Sequence, residues 1–137
     1  MIPKFRAWDL IDNRMRYDIG VIEFNGIDKN VSAISFNYAL DDTGYGEVDN
    51  SRSEYYDANC FELMQSTGLK DKNGTEIYEG DIVKNIYDEI YVVKWFDAGF
   101  YLEERYNGGF DYSELHFGNN KEVIGNIYEN PELLEDN

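Results

Sequence analysis

Hydrophobic and polar residues alternate in short runs through the first part of the chain. Residues 4–8 and 14–17 alternate on either side of a turn-rich segment, which predicts an opening hairpin with its polar side chains outward. Short apolar runs at residues 21–24 and 34–38 predict two further strands. This period of two predicts a β-rich N-terminal region over residues 1–60.

The second half of the chain places short apolar runs between regular turn signals. Asn73-Gly74 and Gly80-Asp81 are dipeptides that tolerate a tight turn. The predicted strands are residues 82–87, 90–96, 99–103 and 122–128. A mainly β fold (β-rich α+β) follows, with a small SH3-like or bent-sheet barrel over residues 61–137 packed with the N-terminal hairpin region. The residues expected to fill the barrel interior are Trp8, Tyr78, Trp95, Phe100 and Ile127.

Three segments do not follow this alternation. Residues 41–57 are polar and acidic and contain two glycines, which predicts a long loop. Residues 104–120 are rich in glycine and asparagine, and they predict an irregular excursion with a short helical turn near residues 112–115. Pro131 follows Asn130 and predicts that residues 130–134 start a short helix or a tail near the end of the chain.

The charge balance narrows the class of partner. The chain of 137 residues has 28 acidic and 12 basic side chains, a formal net charge of −16. Such a charge repels phosphates, so we expect no direct binding of nucleic acid and a preference for basic partners. It also permits an acidic mimic of DNA that occupies a DNA-binding protein.

Cysteine usage and hydropathy indicate a reducing compartment. Cys60 has no second cysteine with which to form an internal disulfide, and we expect it to be a small buried apolar group. No apolar run resembles a signal peptide or reaches the length of a membrane span. We therefore expect a soluble intracellular protein with no membrane contact.

Candidate catalytic and metal-binding residues are few. His116 is the single histidine, and it stands in a predicted loop with no nucleophile pattern nearby. The segment Asp71–Glu76 resembles the start of a calcium loop, but its glycine comes too early and a bidentate acid is missing, so a hairpin turn is favoured. We predict no catalytic residue, no metal and no cofactor, and hence no enzyme.

Three blocks of the sequence resemble the YopX family of phage and prophage proteins. They are Lys4-Phe5-Arg6-Ala7-Trp8-Asp9, the long segment from Leu63 to Val83, and Val123-Ile124-Gly125-Asn126-Ile127-Tyr128-Glu129-Asn130-Pro131. The resemblance implies a phage or prophage origin, a compact β-containing fold and self-association. It implies no reaction, because the family is one of unknown function.

These observations lead to a functional hypothesis. We expect a non-enzymatic, self-associating accessory protein in the host cytoplasm, with a host or phage protein as a further partner. The acidic DNA mimic is the alternative. The predicted interaction residues lie in and beside the acidic loop, outside the family blocks: Asp41, Asp42, Tyr45, Glu54, Tyr55 and Tyr56.

Overall fold

The protein is mostly β, as predicted from its alternation. The structure is a computed structural model that describes residues 4–24, 31–37, 53–96, 98–106 and 109–135. The chain forms two compact units, an N-terminal unit of Phe5–Met64 and a C-terminal unit of Met1–Lys4 with Gln65–Asn137. Within the described residues, no helix is long and apolar enough to span a membrane.

The N-terminal unit is built from antiparallel pairs. Its strands are β1 (Phe5–Asp9), β2 (Arg14–Arg16), β3 (Ile19–Phe24), β4 (Val31–Asn37) and β5 (Ser53–Asp57), followed by a 3-10 turn at Ala58–Cys60 and the start of β6 (Phe61–Lys70). The predicted hairpin is present, because β1 pairs with β2 and Trp8 lies opposite Met15. Strands β3, β4 and β5 form a second sheet around the buried Ile34. Its last strand corrects the predicted loop, since residues 53–57 are paired with β4.

The first hairpin buries charge that we expected to face water. Arg6, Asp9 and Arg16 are all buried, and only 1% of Arg16 is exposed. The guanidinium of Arg16 binds two carboxylates, Asp9 at 3.5 Å and Asp18 at 2.6 Å. The prediction of outward polar residues is therefore wrong at these positions. For Arg16 the reason is that its partner Asp9 is buried with it, while the partly exposed Asp18 pairs with the same guanidinium.

Asp9 stays ionised inside the N-terminal unit because it has several donors. Burial by itself raises the pKa of Asp9, but backbone N–H groups of Asp12 and Ile11 and the side chains of Tyr56 and Arg16 outweigh it and hold the pKa below its usual range. The Tyr56 hydroxyl donates to Oδ2 at 3.0 Å, and the two backbone groups donate to Oδ1 at 2.9 Å. The carboxylate thus connects β1, β2 and β5.

The C-terminal unit contains a five-stranded antiparallel sheet, a curled half-barrel, in the order β11-β10-β9-β8-β12. The strands of the C-terminal unit after β6 are β7 (Glu76–Tyr78), β8 (Asp81–Lys84), β9 (Ile90–Phe96), β10 (Gly99–Tyr106), β11 (Gly109–Glu114) and β12 (Glu122–Asn126). The unit ends with a 3-10 turn at Pro131–Leu134. Ile77, Val83, Val93 and Leu102 form its core. Tyr78 is buried as predicted, whereas 44% of Trp95 is exposed. The prediction that Trp95 is internal is wrong, because it stands near the end of β9, beyond the core.

The expected excursion at residues 104–120 is largely a strand pair. β10 continues to Tyr106, and β11 pairs with it from Gly109 to Glu114 without a register shift. The short helical turn expected near residues 112–115 is absent, since Tyr112 and Ser113 lie in β11. The short helix predicted near Pro131 is confirmed as a 3-10 turn.

One buried carboxylate joins the β6–β7 turn to the edge strand β12. Asp71 is buried, and its Oδ1 accepts the backbone N–H groups of Asn73 and Thr75 at 2.9 and 2.8 Å. Its Oδ2 accepts the N–H of Val123 at 2.9 Å. Gly74 completes the turn with a φ of 84°, which favours glycine. Asp71 therefore stabilises a hairpin turn. A hairpin turn is also the interpretation that the sequence favoured over a calcium loop.

Replacing Asp71 should destabilise this unit. In Asp71→Ala the three backbone N–H groups lose a charged acceptor, so we expect the free energy of unfolding to fall by about 3 kcal/mol in urea titrations. Asp71→Asn retains one acceptor oxygen and should lose less. Lys72→Ala, an exposed change in the same turn, is the control and should cost less than about 0.5 kcal/mol. An equal loss in Asp71→Ala and Lys72→Ala would contradict this role.

Candidate interaction surface

The sheet of the C-terminal unit has an outer face that carries aromatic and charged side chains. Val93 and Leu102 lie opposite each other in the core, so the alternate residues of β9, β10 and β11 point to the other side. We call this side the outer face. By this register its residues in the three strands are Ile90, Val92, Lys94, Phe96, Tyr101, Glu103, Arg105, Phe110, Tyr112 and Glu114, of which Val92 is fully buried.

The aromatic rings of the outer face contact one another. Phe96 stacks on Tyr101 with centroids 4.3 Å apart and an angle of 14°. It also meets Tyr112 edge-on at 5.2 Å. Phe110 lies under the guanidinium of Arg105, 5.8 Å from the ring centroid. Substantial fractions of the rings are open to water, including 51% of Tyr112 and 54% of Phe110.

Glu103 fixes the middle of this face. Only 6% of Glu103 is exposed, and its carboxylate accepts from Arg105 Nε and the Tyr112 hydroxyl, each at 2.9 Å. Burial by itself raises the pKa of Glu103, but these bonds and the charges of Lys94 and Arg105 outweigh it and hold the pKa below its usual range. The same hydrogen bond raises the pKa of Tyr112, so its phenol stays a neutral donor.

A groove of about 270 Å³ lies beside Glu103 and Arg105. Ile90, Leu133 and Leu134 supply its apolar lining, and carboxylates that include Glu104 and Glu135 line it as well. A mainly charged groove with an apolar wall and an excess of carboxylates suits the aliphatic stem and cationic head of a basic side chain.

The residues predicted from sequence are found elsewhere. Tyr56 is buried in the N-terminal unit and donates to Asp9. Glu54 and Tyr55 belong to β5, and their side chains lie outside the described residues. Asp41, Asp42 and Tyr45 also lie outside the described residues, so an interaction site at these positions stays a prediction.

The two candidates for acid–base or thiol chemistry have ordinary settings. His116 is exposed and lies 2.8 Å from Glu114. Cys60 is half-buried, and its thiol lies 3.4 Å from Asp57 Oδ1. Burial, followed by the nearby Asp57, raises the pKa of Cys60 and keeps the thiol protonated. Within the described residues, no group of three or more His, Cys, Asp or Glu could hold a metal ion.

Sequence reasoning missed the outer face because it did not detect β11. The signal was available: Asn107-Gly108 is a hairpin-turn dipeptide, and aromatic residues alternate with polar ones after it. The glycine and asparagine content of residues 104–120 instead indicates irregular structure.

Comparison with known proteins identifies the family. The sequence model of one family, described as YopX protein, matches residues 4–135. The chain belongs to the YopX family. The resemblance seen in the three sequence blocks is thus confirmed. No curated protein is significantly similar to this chain.

Two solved structures are similar to this YopX-family chain. The crystal structure of protein EF1440 from Enterococcus faecalis is 31% identical over 98% of this chain and 99% of that chain, with a TM-score of 0.57. The crystal structure of protein yopX from Bacillus subtilis is 23% identical over 96% of this chain and 97% of that chain, with a TM-score of 0.56. At this identity the second supports the fold alone.

The lowered pKa of Glu103 makes a prediction about acid stability. A carboxylate whose pKa is lower in the folded state stabilises that state above the unfolded pKa, and the contribution disappears as the pH falls through the folded pKa. The difference in unfolding free energy between wild type and Glu103→Gln should therefore be greatest near pH ~7 and shrink below pH ~4.5. Urea titrations at several pH values measure it.

Glu104→Gln is the control for this experiment. It makes the same change in net charge at the neighbouring residue of β10 and corrects for the general effect of removing one carboxylate. The difference in unfolding free energy between wild type and Glu103→Gln could instead grow as the pH falls, relative to the same difference for Glu104→Gln. That result would contradict the lowered pKa of Glu103.

Proposed function

We propose that this YopX-family chain is a non-enzymatic accessory protein, encoded by a phage or prophage, that self-associates and uses the outer face of β9–β11 as its contact surface. The observation that carries the proposal is the ring cluster on that face, in which the exposed Phe96 stacks on the half-buried Tyr101 and meets the exposed Tyr112 edge-on. The family resemblance supports the phage origin and the self-association.

The arrangement of the rings suits an interface. Aromatic residues and arginine are enriched at protein contacts, and contiguous exposed apolar area on a soluble protein often marks such a contact. Binding costs less when the side chains are already ordered. Here the phenol of Tyr112 is held by Glu103, and Phe96 is held by two neighbouring rings.

The chemistry of Glu103 supports a non-catalytic role. A buried carboxyl group that acts as a general acid near neutral pH needs a raised pKa. Glu103 has a lowered pKa, and two donors occupy its oxygens. Its arrangement serves to position Arg105 and Tyr112.

The acidic DNA mimic remains a second candidate that rests on the net charge of −16. The two candidates require different contact surfaces. A DNA mimic presents carboxylates to a basic groove and needs no aromatic contact, whereas the self-association proposed above uses aromatic rings. Ionic strength separates the two candidates.

Self-association through the outer face should depend on Phe96. Phe96→Ser removes the ring that contacts both Tyr101 and Tyr112, so we expect the dissociation constant of the assembly to rise at least about tenfold in sedimentation velocity. Tyr87→Ser is the control, because 76% of Tyr87 is exposed and it lies in the turn between β8 and β9, outside the strands of the outer face. Wild type that stays monomeric at all concentrations, or equal effects of both variants, would refute the proposal.

Salt should strengthen self-association. Each copy has a net charge of −16, so raising the ionic strength from about 0.05 to 0.5 M screens the repulsion between copies and should lower the dissociation constant. A DNA mimic should instead lose affinity for a basic DNA-binding protein, and DNA should compete with it. If self-association weakens as the ionic strength rises, charge repulsion between the copies is not what opposes it, and this explanation is incorrect.

A further inference from the structure

The two edges of the five-stranded sheet in the C-terminal unit are not equivalent. β12 forms one edge and β11 the other. The turn after β6 covers the β12 edge, because Lys72 N donates to the carbonyl of Lys121 at 2.9 Å and Val123 N donates to Asp71 Oδ2 at 2.9 Å. The β12 edge therefore has little capacity to pair with another strand.

The β11 edge is open. Leu115 N donates to the carbonyl of Phe100, which lies directly opposite in the register, so this pair is hydrogen-bonded. By alternation, Asp111 and Ser113 also point their backbone groups at β10. Phe110, Tyr112 and Glu114 point theirs away from it. Among the described residues, β11 makes no backbone hydrogen bond to any strand but β10.

β11 lacks several of the devices that usually protect an edge strand, and its charges are confined to Asp111 and Glu114. Such strands are commonly blocked by lysine, proline or a bulge. The sequence of β11, Gly-Phe-Asp-Tyr-Ser-Glu, has no lysine and no proline, and its pairing with β10 has no register shift. An open hydrogen-bonding edge beside the outer face can therefore accept another strand.

We propose that two copies of the chain pair antiparallel through their β11 strands, which joins their sheets and brings the two outer faces onto one side. The proposal adds an edge contact to the self-association through the outer face proposed above and rests on it, because edge pairing leaves the joined outer faces open for that face contact. A two-fold axis perpendicular to the sheet preserves the side to which each residue points, so the outer faces become continuous.

Charge selects the register of this pairing. A two-fold axis at Asp111 would place that carboxylate opposite its own copy, and like charges opposite each other are destabilising. An axis at Tyr112 instead places Phe110 opposite Glu114 of the second copy. Arg105 covers the ring of Phe110, so the arriving carboxylate meets a cation beside that ring. The geometry therefore favours the axis at Tyr112.

A proline substitution separates edge pairing from contact through the faces. Glu114→Pro removes a backbone N–H that points to the open edge and leaves the bonds to β10 in place, as edge strands allow. We expect the dissociation constant to rise roughly thirtyfold in sedimentation velocity, because two symmetry-related hydrogen bonds are lost. Glu114→Gln keeps the N–H and should change it by no more than about fivefold, the effect of an exposed ion pair.

Cysteine cross-linking tests the register even if the proline variant is unstable. In a Cys60→Ser background, Tyr112→Cys should form a disulfide-linked dimer on mild oxidation, since the axis brings the two Cα atoms within bridging distance. Asp111→Cys should cross-link much less. Cross-linking at residue 111 and not at residue 112 would overturn the proposed register.

The outcomes also separate this inference from the proposed function. If Phe96→Ser dissociates the assembly while Glu114→Pro does not and neither cysteine cross-links, the copies associate through their faces alone and edge pairing is wrong. If wild type is a monomer at all concentrations, both the self-association and the edge pairing are overturned.

Discussion

The carboxylate of Glu103 is the interaction on which the outer face depends. It lies on the same side of the sheet as the exposed rings yet is almost completely buried, opposite the buried Val92 in the register, and Arg105 and Tyr112 both donate to it. Each of these donors in turn positions a ring: Arg105 covers Phe110, and Tyr112 meets Phe96. A single ionised group thus orders aromatic side chains that would otherwise lose rotamer entropy on binding.

Both units use buried carboxylates in the same way. In the N-terminal unit Asp9 accepts from Tyr56 and Arg16, as Glu103 accepts from Tyr112 and Arg105 in the C-terminal unit. In each case burial alone would favour the neutral acid, and the donors reverse that preference. A chain with so many acids therefore uses some of them inside as fixed acceptors, and removing one donor would leave a buried charge without full compensation.

Much of the fold follows from local sequence, because turns and alternation are local properties. The β-rich class and the turn at Gly74 were predictable from residues adjacent in the chain. The buried Arg16 was not, since its burial depends on Asp9, which another strand supplies. Trp95 has the alternation of a core residue, but only the length of the neighbouring strands shows that it lies beyond the core. The outer face depends on the pairing of three strands, and a sequence analysis that misses β11 cannot assemble it.

The asymmetry of the two edges of the five-stranded sheet also limits how many copies the proposed edge pairing could join. If both edges were open, a copy could add at either end of the sheet, and a head-to-tail contact could continue into a filament. Asp71 and Lys72 occupy the β12 edge, so among the described residues β11 is the edge of this five-stranded sheet that is open. Pairing of β11 with itself uses the same surface on both copies, and such an isologous contact closes at two. In the edge pairing we propose, the turn that stabilises the C-terminal unit would therefore limit the growth of the sheet.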